Sequence, residues 1–318
     1  MARNIKVFSN TESTSLAEAI CGNLAIPLST VTIKEFSDGE IFVRLEADIR
    51  GQDVFLICST NTPFNNFVEA LFLADAARNA SASRVTLVIP YFGCSRQEVK
   101  GDGRTAVAAV VMARALREDV NRVLLLDLHA EQTINEFRPA IIDHLYGSFF
   151  IIPVLKQVLG DESFVVAAPD AGGGRRARKY NELLGTHRKL VYFDKSRPEP
   201  NKVGEVEIVG SVRNRTVVLV DDIVDTGGTL AADAQAAKKA GAHRIIAATT
   251  HGVLSGNAIA TIDDSPIDTL IVSDTIASVL EKKDLFKNTN IIIASCAKLL
   301  AEAIRRIHDE ESVSKLIL

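Results

Sequence analysis

The sequence predicts an α/β fold made of two similar doubly wound domains with mostly parallel sheets. Three observations predict it. Short apolar runs and helical stretches follow one another in turn along the chain. Within each run the apolar residues are consecutive and do not alternate with polar ones. A stretch of the first half of the chain is similar to one of the second half. The chain has 318 residues, of which 47% are hydrophobic. That length suits two cores of about 150 residues each better than a single core.

The predicted elements alternate regularly along the chain. The strands, rich in Val, Ile and Leu, are Val54–Ile57, Val85–Ile89, Val123–Leu126, Val165–Ala168, Val217–Val220 and Ile245–Ala248. The helices are Phe64–Asn79, Ala106–Leu116, Gly228–Ala240 and Ala294–His308. Continuous apolar strands are typical of parallel sheets that are covered on both faces. The alternation of strands and helices therefore favours a doubly wound arrangement.

A stretch of the first half of the chain is similar to one in the second half. Ala76–Val85 reads AARNASASRV, and 160 positions later Ala236–Ile245 reads AAKKAGAHRI. Each stretch ends a helix, turns through small residues and begins a strand, which favours a duplicated domain. We therefore predict one domain over residues 1–147 and a second over residues 148–318, with the tail 305–318 packing back on the first domain.

The composition excludes several classes of function. Charged residues make up 24% of the chain, and the formal net charge is -4. A mildly acidic chain is a poor candidate for binding nucleic acid, because that binding relies on basic surface. The opening MARNIKVFSN lacks the apolar core of a signal peptide, and no apolar run approaches the ~18 residues that span a bilayer. We expect a cytoplasmic protein that binds neither nucleic acid nor membrane.

The most informative stretch is Thr216–Leu230, which reads TVVLVDDIVDTGGTL. A predicted strand runs into Asp221 and Asp222, and a Thr- and Gly-rich loop then leads into a predicted helix. Ligands of open α/β sheets bind beyond the carboxyl ends of the strands. Backbone amides, hydroxyls and a helix N-terminus together form an anion site there, with the residues Asp225, Thr226, Gly227, Gly228 and Thr229.

The loop lacks the GxxxxGK[ST] pattern and the lysine of a Walker A loop, so it suits a sugar monophosphate better than a triphosphate. The carboxylates of Asp221 and Asp222 can accept hydrogen bonds from the vicinal hydroxyls of a ribose. A helix-capping turn beside an exposed acidic pair is the structural alternative. The complete order of strand, acidic pair, DTGGT loop and helix favours the functional interpretation.

This loop resembles the phosphoribosyl-pyrophosphate loop that type I phosphoribosyltransferases and ribose-phosphate pyrophosphokinases share. Other motifs separate the two families. They are EFSDGE (Glu35–Glu40), RGQDVFLICST (Arg50–Thr60), PYFGCSRQEVK (Pro90–Lys100), LLLDLHAEQ (Leu124–Gln132), DHLYG (Asp143–Gly147), PDAGG (Pro169–Gly173), DKSRPEPN (Asp194–Asn201) and the tail ESVSKLIL. In this order they look like the ribose-phosphate pyrophosphokinase family over nearly the whole chain. The fold that this resemblance implies is a duplicated type I phosphoribosyltransferase fold.

The resemblance implies transfer of the β,γ-pyrophosphoryl group of Mg–ATP to the C1 hydroxyl of ribose 5-phosphate, which releases AMP. It implies that Mg²⁺ is held by His129 and Asp170, at the ends of two predicted strands. It implies a catalytic role for Lys195 and Arg197, two cations on a loop with two prolines. Two such cations can neutralise a phosphorus centre. The residues implied for ATP are Phe36, Asp38, Glu40, Arg96, Gln97 and His129. Phe36 can stack on a purine, and Arg96 suits phosphate or purine contacts.

The resemblance further implies a homohexamer and an allosteric site for phosphate and ADP. The candidate allosteric residues are Arg50, Arg104, Asp143, Ser312 and Ser314. The family commonly has an R-x-P-I-S-A-K type stretch near this site. Here Gly103–Val110 reads GRTAVAAV, which keeps Arg104 and lacks the Pro-Ile-Ser.

Two alternative functions share parts of the pattern. A phosphoribosyltransferase would need the Val217–Leu230 loop but neither the adenine loop nor Lys195 and Arg197. A non-catalytic regulatory homologue would be expected to lose metal or lid residues, which this chain keeps. The other five histidines, among them His144, are interpreted as structural.

Overall fold

The computed structural model describes residues 4–101, 103–170, 172–186, 188–194 and 206–316. The chain divides into two compact units. The first consists of Met1–Tyr146, Thr275–Ala277 and Cys296–Leu318, and the second of Gly147–Asp274 and Ser278–Ser295. None of the helices in the described ranges has both the length and the apolar character needed to cross a membrane.

The first unit is an α/β layer structure with a small hairpin. Its strands are β1 (Ile5–Ser9), β2 (Val31–Glu35), β3 (Ile41–Leu45), β4 (Asp53–Ile57), β5 (Arg84–Ile89), β6 (Arg122–Leu126) and β7 (Ile141–Leu145). The first three helices of this unit are α1 (Thr14–Leu24), α2 (Asn65–Asn79) and α3 (Ala108–Leu116). In the described ranges, β1-β4-β5-β6-β7 form a five-stranded sheet in which every pairing is parallel. The antiparallel pair of β2 and β3 stands apart as a two-stranded sheet.

The second unit contains a larger sheet. Its helices are α4 (Ser148–Leu159), α5 (Gly174–Leu183), α6 (Gly228–Lys239), α7 (Ala258–Asp263) and α8 (Ser278–Lys282). Its strands are β8 (Phe164–Ala168), β9 (Val191–Asp194), β10 (Glu207–Val209), β11 (Thr216–Val224), β12 (Arg244–Gly252), β13 (Thr269–Ser273) and β14 (Asn290–Ala294). In the described part of the chain, seven strands are ordered β10-β9-β8-β11-β12-β13-β14, and only β10 runs antiparallel to its neighbour.

Alternate residues of the central strand of this sheet enter two different cores. Val217 and Leu219 pack with α6 and α7, whereas Val218 and Val220 pack with α4 and α5. Successive side chains of a strand point to opposite faces, so both faces of the sheet are covered by helices. The continuous apolar runs of the sequence have this cause, and the predicted fold class is confirmed.

The C-terminal helix α9 (Ala297–His308) belongs to the first unit, so the expected second domain over residues 148–318 ends too late. The helix packs against α1. At its end, His308 Nδ1 lies 2.8 Å from an oxygen of the fully buried Asp53 carboxylate. Arg84 donates to the same carboxylate and, at 2.9 Å, to the Ile307 carbonyl oxygen. These contacts fix the end of α9, and the first unit includes the whole segment from Cys296 and not only the tail 305–318.

The observed ends of some helices and strands differ from the predicted ones, because pairing with neighbouring strands sets where these elements begin and end. The helix expected from Ala294 begins at Ala297, because Ala294 is the last residue of β14. The strands expected to end at Val220 and Ala248 continue to Val224 and Gly252, where they pair with each other in register. The echoed stretches have matching turns: Ala82 N–H donates to Ala77 O at 3.2 Å, and Ala242 N–H donates to Ala237 O at 3.0 Å.

A buried carboxylate ties the end of α7 to the turn before β14. Asp263 accepts hydrogen bonds from the backbone N–H groups of Asn288 and Thr289, each at 2.8 Å, and from that of Lys287 at 3.0 Å. Burial alone would raise the pKa of this carboxyl, but the three amides favour the charged form and hold the pKa below its ordinary value. The ionised carboxylate therefore stabilises the position of α7.

We expect Asp263→Ala to lower the free energy of unfolding by about 2 kcal/mol at neutral pH, because it leaves three backbone amides, that of the buried Thr289 among them, without their acceptor. The lowered pKa gives a stabilising contribution that is complete above the unfolded-state pKa, about 4, and that disappears as the pH falls through the folded-state pKa. Urea unfolding at pH 7 and pH 3 checks this. The exposed neighbour supplies the control variant Asp264→Ala. A gap between wild type and Asp263→Ala that persists unchanged at pH 3 would contradict the expectation.

Candidate active site

The sequence predicted the acidic pair just beyond the end of a strand. In the structure the pair lies inside β11. Asp221 pairs in register with Thr249 of β12, and the strand continues to Val224. The Asp222 N–H donates to Asp221 Oδ1 at 2.9 Å. The pair therefore sits on the most deeply embedded strand of the sheet and leads directly into the loop that follows.

The two carboxylates of this pair have different surroundings. Asp222 is only 3% exposed, and its Oδ1 lies 3.6 Å from Arg176 Nη1 on α5. The pKa of Asp221 is raised well above its ordinary value, chiefly by burial and then by the hydrogen bond and negative charge of Asp222, while Arg176 opposes the shift. Arg176 is a residue that the sequence did not single out. It offsets part of the repulsion within the acidic pair.

The loop from Asp225 to Thr229 has the geometry of an anion site. Gly227 caps α6 with a φ of 77°, a conformation that favours glycine. A Cβ at Gly227 would come within 2.8 Å of Ile262 Cγ1, so the close approach to α7 also requires glycine. Thr226, Gly228 and Thr229 are exposed around the start of the helix. The first amides of a helix have no acceptor within it and point outward, which suits a phosphate.

Asp170 lies in a tight turn between β8 and α5 in the same unit. Its carboxylate is exposed and accepts a hydrogen bond from the Gly173 N–H at 2.8 Å. A Cβ at Gly172 would come within 3.2 Å of the Asp170 oxygen, so the small residue lets the chain fold around the carboxylate. An exposed carboxylate oxygen is the kind of ligand that Mg²⁺ takes together with phosphates and water.

His129 lies in the first unit, on the loop that follows β6, and is exposed. The loop is held from the side by the adjacent strand β7. His144 Nε2 accepts a hydrogen bond from the Leu128 N–H at 3.0 Å. The His144 ring packs on Tyr146, with 4.7 Å between centroids, and the Tyr146 hydroxyl donates to Glu131 at 3.2 Å. His144 therefore positions the residue next to His129. No local pattern reveals this, because the contact depends on the register of β6 with β7.

Phe36, Asp38 and Glu40 form the turn of the β2–β3 hairpin. The Phe36 N–H donates to Glu40 O at 2.8 Å, and Asp38 Oδ1 accepts from the Glu40 N–H at 3.1 Å. The Phe36 ring is 52% exposed and contacts Phe42 edge to face, with 6.3 Å between centroids. Phe36 is thus held at the surface of the hairpin turn.

Arg96 and Gln97 follow β5 and are both exposed. The loop that carries them packs closely against the loop that follows β4. A Cβ at Gly93 would lie 2.0 Å from the Thr60 carbonyl oxygen, and the Gly93 N–H donates to Thr60 Oγ1 at 2.8 Å. This contact requires glycine and fixes the start of the loop that presents Arg96 and Gln97.

The predicted catalytic residues Lys195 and Arg197 lie outside the described residues. The candidate allosteric residues separate into two groups. Asp143, Ser312 and Ser314 line one cleft of about 430 Å³ in the first unit, together with Arg84 and Arg122. Asp143 forms an ion pair with Arg122. Arg50 and Arg104 are exposed and are not among the residues that line this cleft.

The fold and the loop on β11 have the architecture of α/β proteins that bind phosphorylated ligands at the carboxyl ends of parallel strands. Two family models refine this class. The N-terminal domain of ribose phosphate pyrophosphokinase matches residues 5–119, and the phosphoribosyl synthetase-associated domain matches residues 165–318. This chain belongs to the ribose-phosphate pyrophosphokinase family, which confirms the resemblance seen in the motifs.

Individual relatives are similar over nearly their whole length. The ribose-phosphate pyrophosphokinase of Hyphomonas neptunium is 42% identical over 98% of this chain and 99% of its own. That of Porphyromonas gingivalis is 40% identical over 98% of this chain and 97% of its own. The crystal structure of phosphoribosylpyrophosphate synthetase from Mycobacterium smegmatis is 30% identical, with a TM-score of 0.88, and covers 97% of this chain and 100% of its own.

We expect Gly227→Ala to lower the free energy of unfolding by more than about 1 kcal/mol, because the added methyl group meets Ile262 in a backbone conformation that disfavours alanine. Gly228→Ala is the matched control, since its Cβ would meet only Thr226 Oγ1, at 3.8 Å. Thermal unfolding of both variants checks this. Equal melting temperatures for the two variants would show that the contact between loop and α7 does not constrain the loop.

Proposed function

We propose that this chain transfers the β,γ-pyrophosphoryl group of Mg–ATP to the C1 hydroxyl of ribose 5-phosphate, giving 5-phosphoribosyl 1-pyrophosphate and AMP. The observation that carries the proposal is the unbroken run of β11, acidic pair, anion-type loop and α6 within a chain similar to these enzymes over its whole length. A loop alone would suit a phosphoribosyltransferase equally well. Both units, and not the loop alone, are similar to ribose-phosphate pyrophosphokinases, and this favours the pyrophosphokinase activity.

The roles of the residues in the second unit follow from their chemistry. The loop from Asp225 to Thr229 binds the 5-phosphate through amides, hydroxyls and the N-terminus of α6. Asp221 and Asp222 accept hydrogen bonds from the ribose hydroxyls, and Arg176 limits the repulsion between the two carboxylates. This arrangement orients the sugar so that the C1 hydroxyl attacks the β-phosphorus of ATP and AMP leaves.

The residues of the first unit are proposed to bind ATP. The exposed ring of Phe36 stacks on the adenine, and Asp38 and Glu40 accept from its amino group. Arg96 and Gln97 bind the nucleotide from the loop after β5. His129 of the first unit and Asp170 of the second are each proposed as a ligand of Mg²⁺, which would neutralise charge on the triphosphate. Lys195 and Arg197 are proposed to stabilise the charge that develops on the transferred group.

The test is AMP release from ATP and Mg²⁺, measured with and without ribose 5-phosphate and in the absence of any nucleobase. We expect AMP that depends on ribose 5-phosphate, and a loss of about 100-fold in Lys195→Ala, because one cation at the reacting phosphorus is removed. Lys189→Ala, at an exposed lysine before β9, is the control and should keep wild-type activity. Folded wild-type protein that releases no AMP, with phosphate present or absent, would favour the phosphoribosyltransferase or the non-catalytic alternative.

We also propose that the cleft lined by Asp143, Ser312 and Ser314 binds phosphate or ADP and regulates activity. Arg84 and Arg122 lie at its wall beside the carboxylates of Asp143, Glu310 and Glu311, and Arg122 is paired with Asp143. Arg50 and Arg104 are not among the lining residues, so in this proposal another subunit brings them to the site. The proposed assembly is a homo-oligomer, a hexamer by resemblance, and light scattering under active conditions that gave a monomer would contradict it.

We expect Ser314→Asp to weaken the response of activity to phosphate and ADP by about tenfold in concentration, because a new negative charge faces an anion. The activity without effectors should stay unchanged. Ser211→Asp, at an exposed serine of the second unit, controls for added charge. Titration of phosphate and ADP at saturating ATP checks this, and identical curves for both variants and wild type would remove the cleft from regulation.

A further inference from the structure

The loop from Asp225 to Thr229, named the phosphate loop from here on, packs against a turn that follows β12. This turn, residues 253–257, is hydrogen-bonded to the beginning of the loop. The Val224 carbonyl oxygen accepts from the N–H groups of Val253 at 2.9 Å and Leu254 at 3.2 Å. The Ser255 N–H donates to the Asp225 carbonyl oxygen at 3.0 Å. The Ser255 hydroxyl also donates to Asp225 Oδ1. Both the backbone and the side chain of Asp225 are thus held by one residue.

The turn is itself fixed from behind. Lys282 Nζ on α8 donates to the carbonyl oxygens of Val253 and Leu254, at 3.0 Å each. Gly252 lies so close to the core that a Cβ there would come within 2.6 Å of Val272 and 2.8 Å of Val279. Helix α7 begins immediately after the turn, at Ala258. The turn is therefore a rigid support on which Ser255 presents its hydroxyl.

A carboxylate at the start of a ligand loop needs a fixed rotamer to act as a reliable contact. An unheld Asp side chain must lose rotamer freedom when the ligand binds, and that loss weakens binding. The Ser255 hydroxyl holds the Asp225 side chain before the ligand arrives. Preorganisation of this kind by a neighbouring residue is how binding sites keep their geometry.

We propose that Ser255 is a positioning residue that orients Asp225 and with it the phosphate loop for ribose 5-phosphate, a role that rests on the function proposed above. Ser255 does not itself contact the substrate in this account. It acts through Asp225, and Lys282 keeps the supporting turn in place. The turn 253–257 thereby becomes part of the proposed sugar-phosphate site, although no motif in the loop specifies it.

The test compares Ser255→Ala, which removes the hydroxyl, with Ser255→Thr, which keeps it. Ser163→Ala is a matched control, because Ser163 lies beside the amino end of β8, away from the carboxyl ends of the strands. In the first arm, hydrogen exchange of the amides of residues 225–229 is measured without substrate. We expect exchange several-fold faster in Ser255→Ala and close to wild type in the other two variants, with equal melting temperatures throughout.

In the second arm, ribose 5-phosphate binding is measured by calorimetry, and steady-state rates give the KM for each substrate. Ser255→Ala should bind ribose 5-phosphate about tenfold more weakly, because the unheld Asp225 side chain must then lose its rotamer freedom when the ligand binds. Its KM for ATP should stay within about twofold, and Ser255→Thr should restore binding.

Unchanged exchange in Ser255→Ala would overturn the positioning role whatever the substrate is. Faster exchange together with undiminished ribose 5-phosphate binding would overturn its relevance to the ligand. If the wild-type protein bound no ribose 5-phosphate, the proposed function would fail, while the exchange arm alone would still decide whether Ser255 orders the loop.

Discussion

The parallel pairing of β11 with β8 and β12 is the constraint on which the second unit depends. Strand β11 is buried on both faces, so its backbone groups must find partners in neighbouring strands. That requirement sets the register and therefore the point at which each strand ends. Because the strands are parallel, their carboxyl ends meet at one edge of the sheet. The phosphate loop, the Asp170 turn and the Ser255 turn lie beyond these ends, and the acidic pair lies within β11 shortly before its end.

Negative charge inside this protein is stabilised in three different ways. Asp222 forms an ion pair with Arg176, and Asp263 accepts hydrogen bonds from backbone amides. The Asp53 carboxylate contacts both Arg84 and His308. A buried carboxylate without such partners would be too costly to keep ionised. The three solutions have different consequences. The ion pair adjusts the candidate ribose site, the amides place α7 beneath Gly227, and the Asp53 cluster joins the C-terminal helix to the first unit.

Glycines and turns determine how closely the loops of the sites approach one another. Gly93 lets the loop of Arg96 and Gln97 lie against Thr60, and Gly227 lets the phosphate loop lie against α7. In each case a candidate ligand loop is held by a neighbouring segment, which is the loop after β4 for Gly93 and helix α7 for Gly227. His144 does the same for the loop of His129. Each of these candidate sites therefore combines a loop that carries the functional groups with a second segment of the fold that holds this loop in place.

The sequence by itself determined the fold class, the alternation of elements and the loops whose chemistry is local. The apolar runs, the hairpin turn around Asp38 and the loop after β11 depend on residues close together in the chain, so their patterns are visible in the sequence. Tertiary structure decided the rest. It placed Asp221 inside a longer strand, moved the segment from Cys296 into the first unit, and paired Asp222 with Arg176, Leu128 with His144 and Asp225 with Ser255. The roles of Lys195 and Arg197 remain predictions from the motif. Contacts between distant residues depend on strand register and helix packing, which arise only when the whole core is buried, and no local pattern encodes them.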